Sequence, residues 1–176
     1  MAEKRPQTAR WIAGAIAVTL VGFIALLAVS GGEALGRSNR LLGEPVPSVA
    51  GDTLDGGSYD IADAGDRWVL VNFFATWCAG CIAEHPELLR FEEWANETGQ
   101  AEMVAVVFND PAERVEQFFA ENGGDWPVID TPSVPVSFQV SQIPETFLVS
   151  PDGIVVQHIA GEVQADTLIQ TIEASS

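Results

Sequence analysis

Apolar residues along this chain fall into several distinct patterns. From Trp11 to Gly32 no residue is charged, and residues 11–29 form 19 mostly apolar positions, long enough to cross a bilayer as a helix. Residues 68–75, Trp-Val-Leu-Val-Asn-Phe-Phe-Ala, make a shorter and nearly unbroken apolar run, as expected of a central strand covered on both faces. Residues 103–108 repeat that pattern. Between the two runs, a helix is predicted over about 79–96, where Cys81, Glu84, Leu88, Phe91 and Ala95 recur at offsets of 0, 3, 7, 10 and 14. These five form one stripe, apolar apart from the carboxylate, that faces the sheet. Asn109-Asp110-Pro111 then reads as an N-cap followed by proline at the first helical position. Val115, Phe118 and Phe119 give this second helix its buried face, and Gly123-Gly124 ends it. Residues 146–150 and 154–159 flank the hairpin signal Pro151-Asp152-Gly153, and Leu168, Ile169 and Ile172 mark a closing helix. Upstream, Gly43-Glu44-Pro45-Val46-Pro47 and the turn-rich stretch 52–57 suggest a leading loop and a short hairpin.

The order strand, helix, strand, helix, hairpin, helix describes one compact α/β domain, and a length of 176 residues leaves room for one appendage. Lys4, Arg5 and Arg10 precede the long apolar stretch, which places the N-terminus inside the cell. The expected organisation is a cytoplasmic N-terminus at 1–10, a transmembrane signal-anchor at 11–30, a Gly-rich polar linker at 31–42 and a folded domain at 43–176. A cleaved signal peptide, with small residues Ala28 and Ser30 before a cut at Gly31, is the competing reading. Signal peptides carry apolar regions of only about 7 to 15 residues, so the length favours an uncleaved anchor. The protein is then a single-pass protein of the cell membrane with its C-terminal domain on the extracytoplasmic side.

Charge divides with this topology. The first 40 residues carry a net +3 and the other 136 a net −20, with no lysine after Lys4. Such a surface repels nucleic acid and stays soluble as a well-solvated acidic face, with a basic partner or a saline habitat as the alternative. The chain has only 2 cysteines, so an exported domain must rely on its core, with no framework of structural disulfides.

Both cysteines lie in Trp77-Cys78-Ala79-Gly80-Cys81, directly after the first strand. At the N-terminus of the following helix, free N–H groups and the positive end of the helix dipole favour the Cys78 thiolate, the attacking species in thiol–disulfide exchange. Cys81, one turn on, is within bonding reach and resolves the mixed disulfide. Zinc would need a second Cys/His pair, and haem attachment would need histidine in place of Ile82. His85 and His158 with the two sulfurs make an incomplete metal set, and Pro86 disturbs the helix next to His85. The reading therefore calls for no metal and no cofactor. Glu84, partly desolvated on the buried stripe, has its pKa raised and is placed to exchange a proton with Cys81. An exposed carboxylate in the first turns of the helix is the alternative. Trp77 shields the sulfur and offers an apolar contact surface, or else fills the core.

The motif Trp77-Cys78-Ala79-Gly80-Cys81, followed by Ala83-Glu84-His85-Pro86 and later by Ile143-Pro144-Glu145-Thr146-Phe147-Leu148-Val149, resembles the membrane-anchored thioredoxin-like reductases of cytochrome c maturation. These are the TlpA, ResA and DsbE (CcmG) type proteins. The resemblance spans roughly residues 43–172, and Ala-Gly between the cysteines and Gln142 before Ile143 depart from the commoner residues. It implies a thioredoxin fold, with a central mixed β-sheet flanked by helices. It also implies a cis Ile143-Pro144 peptide against the sulfurs, with backbone that pairs with an extended substrate, where a trans proline that starts a strand is the alternative, and the same proton role for Glu84. Many thioredoxins carry a buried aspartate six residues before the first cysteine, where this chain has Asn72. Glu145 is implied to adjust the local field or meet a basic substrate; a strand-edge carboxylate is its alternative.

The function expected is an extracytoplasmic thiol:disulfide oxidoreductase. By resemblance it reduces the oxidised Cys-x-x-Cys-His segment of apocytochrome c or another exported thiol protein, and it draws electrons from a membrane thiol carrier. Two alternatives stay open: a copper-binding assembly factor for a respiratory oxidase, and a general exported disulfide oxidase or isomerase. A peroxidase is disfavoured, because the Thr76 to Cys78 spacing is one residue short of Thr-x-x-Cys.

Overall fold

The computed structural model describes residues 40–175. The expected cytoplasmic segment 1–10, the anchor at 11–30 and all but the end of the linker lie outside the described residues. Among the described residues no helix is long and apolar enough to cross a membrane.

A five-stranded sheet in the order β5-β4-β3-β6-β7 organises the domain, comprising β3 (Trp68–Phe74), β4 (Ala101–Val107), β5 (Val128–Ile129), β6 (Glu145–Val149) and β7 (Val155–Ala160). A small antiparallel pair, β1 (Ala50–Asp52) and β2 (Ser58–Asp60), precedes it and is followed by a 3-10 turn at Ile61–Ala64. The helices are α1 (Ala79–Thr98), α2 (Ala112–Asn122), α3 (Ser133–Ser137) and α4 (Ala165–Glu173). Strands β3, β4 and β5 are parallel, whereas β6 and β7 run antiparallel. This is the thioredoxin fold, with a mixed sheet flanked by helices.

All seven residues of β3 are buried, because the strand sits at the centre of the sheet with side chains alternating between two cores. Trp68, Leu70 and Phe74 join Leu88 and Phe91 of α1 and Leu168 and Ile172 of α4 on one face, whereas Val69, Val71 and Phe73 join Val134, Phe138 and Phe147 on the other. Both β3–α1–β4 and β4–α2–β5 advance in the same direction across the sheet. Right-handed crossovers therefore put α1 and α2 on one face, where Phe118 and Phe119 of α2 meet Phe74.

Helix α1 buries the expected stripe of Cys81, Glu84, Leu88, Phe91 and Ala95, with His85 added to it. It passes through Pro86 and ends at Gly99, whose left-handed φ of 68° lets its N–H reach the Ala95 carbonyl. Phe91 is fully buried in this layer, and its replacement by alanine would cost about 3 to 5 kcal/mol.

Two boundaries differ from the sequence reading. Pro111, not Asp110, is the N-cap of α2, with its carbonyl accepting from Arg114 and Val115 N–H groups. Asp110 is drawn away because its carboxylate has two donors in the loop before the cysteines. Strand β5 and helix α3 had no sequence signal, being two and five residues long.

Candidate active site

The strand β3 delivers the chain to the N-terminus of α1 through Ala75-Thr76-Trp77, and this loop is tied down. Thr76 donates both its backbone N–H and its hydroxyl to Asp110 Oδ2, each at 2.6 Å. The Cys78 N–H reaches the Ala75 carbonyl at 3.2 Å, and the Trp77 indole N–H reaches the Asn109 carbonyl at 3.1 Å. Asp110 thus fixes the approach to the dithiol from the end of β4, a long-range partnership that local sequence does not encode.

Cys78 is the N-cap of α1, and its sulfur accepts the Cys81 N–H at 3.1 Å. Cys78 and Cys81 form a disulfide with a Cα–Cα separation of 5.2 Å. Exposure differs between the two: Cys78 is 6 % exposed, at the surface end, and Cys81 is 0 % exposed beneath it. That ordering leaves an outer sulfur within reach of a partner and an inner one shielded beneath it. Trp77, at 56 % exposure, is a surface ring beside the outer sulfur and not part of the core.

The Ile143–Pro144 peptide is cis. The Pro144 ring packs on the first turn of α1, where a Cβ on Gly80 would come within 3.0 Å of Pro144 Cδ. Ala79-Gly80 acquires a physical meaning here, since a side chain at the second position would press on the proline. The Pro144 carbonyl accepts from Gly161 N–H at 2.9 Å, and Ile143 is half-buried between the two cores. Pro144, Gly80, Trp77 and Cys78 therefore occupy one end of the molecule.

Glu84 lies below them with 1 % exposure. Its Oε1 accepts from Asn72 Nδ2 at 2.8 Å and its Oε2 from the Val163 N–H at 3.0 Å. Asn72 Nδ2 also donates to Thr146 Oγ1 at 2.9 Å. Burial pushes the Glu84 carboxyl up from 4.5 to about 7, the two hydrogen bonds oppose this, and the nearby Glu162 carboxylate adds to it. A buried carboxyl with a value in the neutral range suits proton transfer. Asn72, Thr146 and the Val163 N–H are the partners that the stripe could not reveal. As the lone polar residue in β3, on the face that Leu70 and Phe74 direct towards α1, Asn72 was the available signal.

Glu145 is buried on the opposite face of the sheet from Glu84, level with Phe73 and Phe147 in the strand pattern, and is not an edge carboxylate. Its Oε2 accepts from His158 Nε2 at 3.0 Å, and the His158 ring stacks on Phe147 with centroids 4.3 Å apart. His85 donates its Nε2–H to the Gly123 carbonyl at 3.1 Å and sits among Phe118, Phe119 and Trp126, where burial lowers its pKa. The two histidines are thus committed to separate neighbourhoods. Among the described residues no group of three or more His, Cys, Asp or Glu side chains is arranged to hold a metal ion.

Known proteins place this geometry in a lineage. The family model described as Redoxin matches residues 41–173. The thiol:disulfide interchange protein HelX of Rhodobacter capsulatus is 28% identical over 149 residues, covering 83% of this chain and 76% of HelX. The thiol-disulfide oxidoreductase ResA of Bacillus subtilis is 30% identical over 128 residues, covering 72% of this chain and 71% of ResA. A thiol:disulfide interchange protein of the thioredoxin family from Chlorobium tepidum, known from its crystal structure, aligns with a TM-score of 0.68 at 26% identity, over 74% of this chain and 94% of that one.

Proposed function

The chain belongs to the Redoxin family and is a thiol:disulfide oxidoreductase, and from that premise we propose that it works outside the cytoplasm, anchored to the cell membrane, as a reductase in cytochrome c maturation. The oxidised Cys-x-x-Cys-His segment of an apocytochrome c is its substrate, and a membrane thiol carrier returns electrons to it. The observation that carries the chemistry is the outer and inner placement of Cys78 and Cys81 on the first turn of α1, with Pro144 against Gly80. The likeness to HelX and ResA and the Ile143-Pro144-Glu145-Thr146-Phe147 segment support the choice of pathway.

In the reduced protein the Cys78 thiolate attacks one sulfur of the substrate disulfide. A mixed disulfide forms, and the other substrate sulfur leaves as a thiolate that takes a proton. Cys81 gives its proton to the Glu84 carboxylate and attacks the Cys78 sulfur. The Cys78–Cys81 bond forms, the second substrate sulfur leaves as a thiolate that takes a proton from solvent, and two electrons have passed to the substrate. The Cys81 N–H that now meets Cys78 Sγ stabilises the thiolate before attack. Trp77, Ile143 and Pro144 form the surface that receives an extended substrate segment, and Glu145 beside them sets the local field from its buried position.

Trapping in cells tests the reading. A Cys81→Ser protein arrests the mixed disulfide on Cys78, and mass spectrometry of the adducts should recover apocytochromes. Recovery of many unrelated exported proteins instead would point to a general oxidase or isomerase.

A further inference from the structure

Glu84 is gripped by two donors. Both carboxylate oxygens accept, one from the Asn72 side-chain amide and one from the Val163 N–H. The Asn72 amide is itself oriented by two acceptors, Glu84 Oε1 and Thr146 Oγ1, while its own carbonyl oxygen is buried without a partner. Turning the amide over would bring that oxygen against Glu84 and Thr146, but it would leave an NH2 group stranded in the same unpartnered place, a greater loss. Asn72 and Thr146 are direct cross-strand partners in the β3–β6 register, and both are buried, so the sheet itself fixes the distance between them.

We propose that Asn72, braced by Thr146, is a positioning residue that favours the ionised, proton-accepting form of Glu84 against its burial. A carboxylic acid at Glu84 would present its O–H to a donor at either oxygen, whereas a carboxylate satisfies both donors. Aspartate in this place would be a second acid competing for the same proton, and an amide has no proton to contest. Division of labour follows: Glu84 carries the proton and the Asn72 amide favours its empty form. The charged group bearing on Glu84 from the loop after β7 is Glu162. Strands β3 and β6 present the neutral Asn72 and Thr146, and on the α4 side Arg90 pairs with both Glu87 and Asp166. The inference rests on the proton role proposed for Glu84, but it concerns how that carboxyl is held.

The test is an infrared titration of the oxidised, folded protein, following the buried carboxyl C=O band that Glu84→Gln removes. In Asn72→Leu the midpoint of that band should move up by about one pH unit or more, because a donor to the ionised form is lost. Thr146→Val, which keeps the shape and loses the brace, should move it in the same direction by a smaller amount. Unchanged midpoints in both variants would overturn the proposal, and if Asn72→Leu fails to fold, an unmoved Thr146→Val midpoint is sufficient to do so. The readout involves no substrate. Thiol exchange left unimpaired in Glu84→Gln would instead remove the proton role and leave this inference standing as a statement about the carboxyl.

Discussion

The ring of Pro144 lies against Gly80, so close that a methyl group on the glycine would sit 3.0 Å from Pro144 Cδ. Gly80→Ala adds that methyl within the first turn of α1. Overpacking costs about 1 to 3 kcal/mol and the better helix propensity returns about 1 kcal/mol, so urea unfolding should show a net loss of about 0 to 2 kcal/mol. Exchange with a peptide disulfide should slow more than this small loss would suggest, because the displaced ring belongs to the surface proposed to receive the substrate.

Asp110 holds the loop that leads to Cys78. In Asp110→Ala the Thr76 N–H and hydroxyl both lose a charged acceptor. Stability should fall by about 2 to 4 kcal/mol, and the Thr76 amide should exchange hydrogen faster than its neighbours in β3. Asp110→Asn, which retains an acceptor oxygen, should recover part of both.

Glu84 gives stability a distinctive dependence on pH. Its carboxyl is raised from 4.5 to about 7 by burial, so the folded protein binds this proton more tightly than the unfolded chain. The stabilising contribution is full below about 4.5, declines as pH rises towards about 7, and is absent above that. Between pH ~5 and ~8 the parent should therefore lose about 2 to 3 kcal/mol more than Glu84→Gln does. Urea unfolding of both proteins at the two pH values checks it, and parallel losses would contradict the burial argument.

His158 and Glu145 form the other buried polar pair. His158→Ala removes a hydrogen bond to a carboxylate and a ring stacked on Phe147. A loss of about 2 to 4 kcal/mol is expected, and a double-mutant cycle with Glu145→Gln should show coupling between the two positions.

Much of this was legible in the residues, and the reason is periodicity. The unbroken run of β3 and the stripe through Cys81, Glu84, Leu88, Phe91 and Ala95 carry their burial in their spacing. What stayed hidden depends on partners far along the chain. Asp110 sits beside a proline and reads as a cap, yet its bonds go to Thr76, 34 positions away. Glu145 reads as a possible strand-edge carboxylate until β7 covers it and supplies His158. The grip on Glu84 joins β3, α1, β6 and the loop at Val163, which no local pattern connects. Strand β5 and helix α3 are too short for any period to register.

The proposed chemistry turns on Cys78 as the outer nucleophile and Cys81 as the resolving sulfur. Mixing the reduced Cys81→Ser protein with an oxidised Cys-x-x-Cys-His peptide, and locating the adduct by mass spectrometry, tests it most directly. The expected result is one peptide joined through Cys78 that persists, whereas the parent protein releases the reduced peptide and ends with Cys78 and Cys81 bridged. Absence of an adduct in Cys81→Ser, together with efficient adduct formation at Cys81 in Cys78→Ser, would contradict the account.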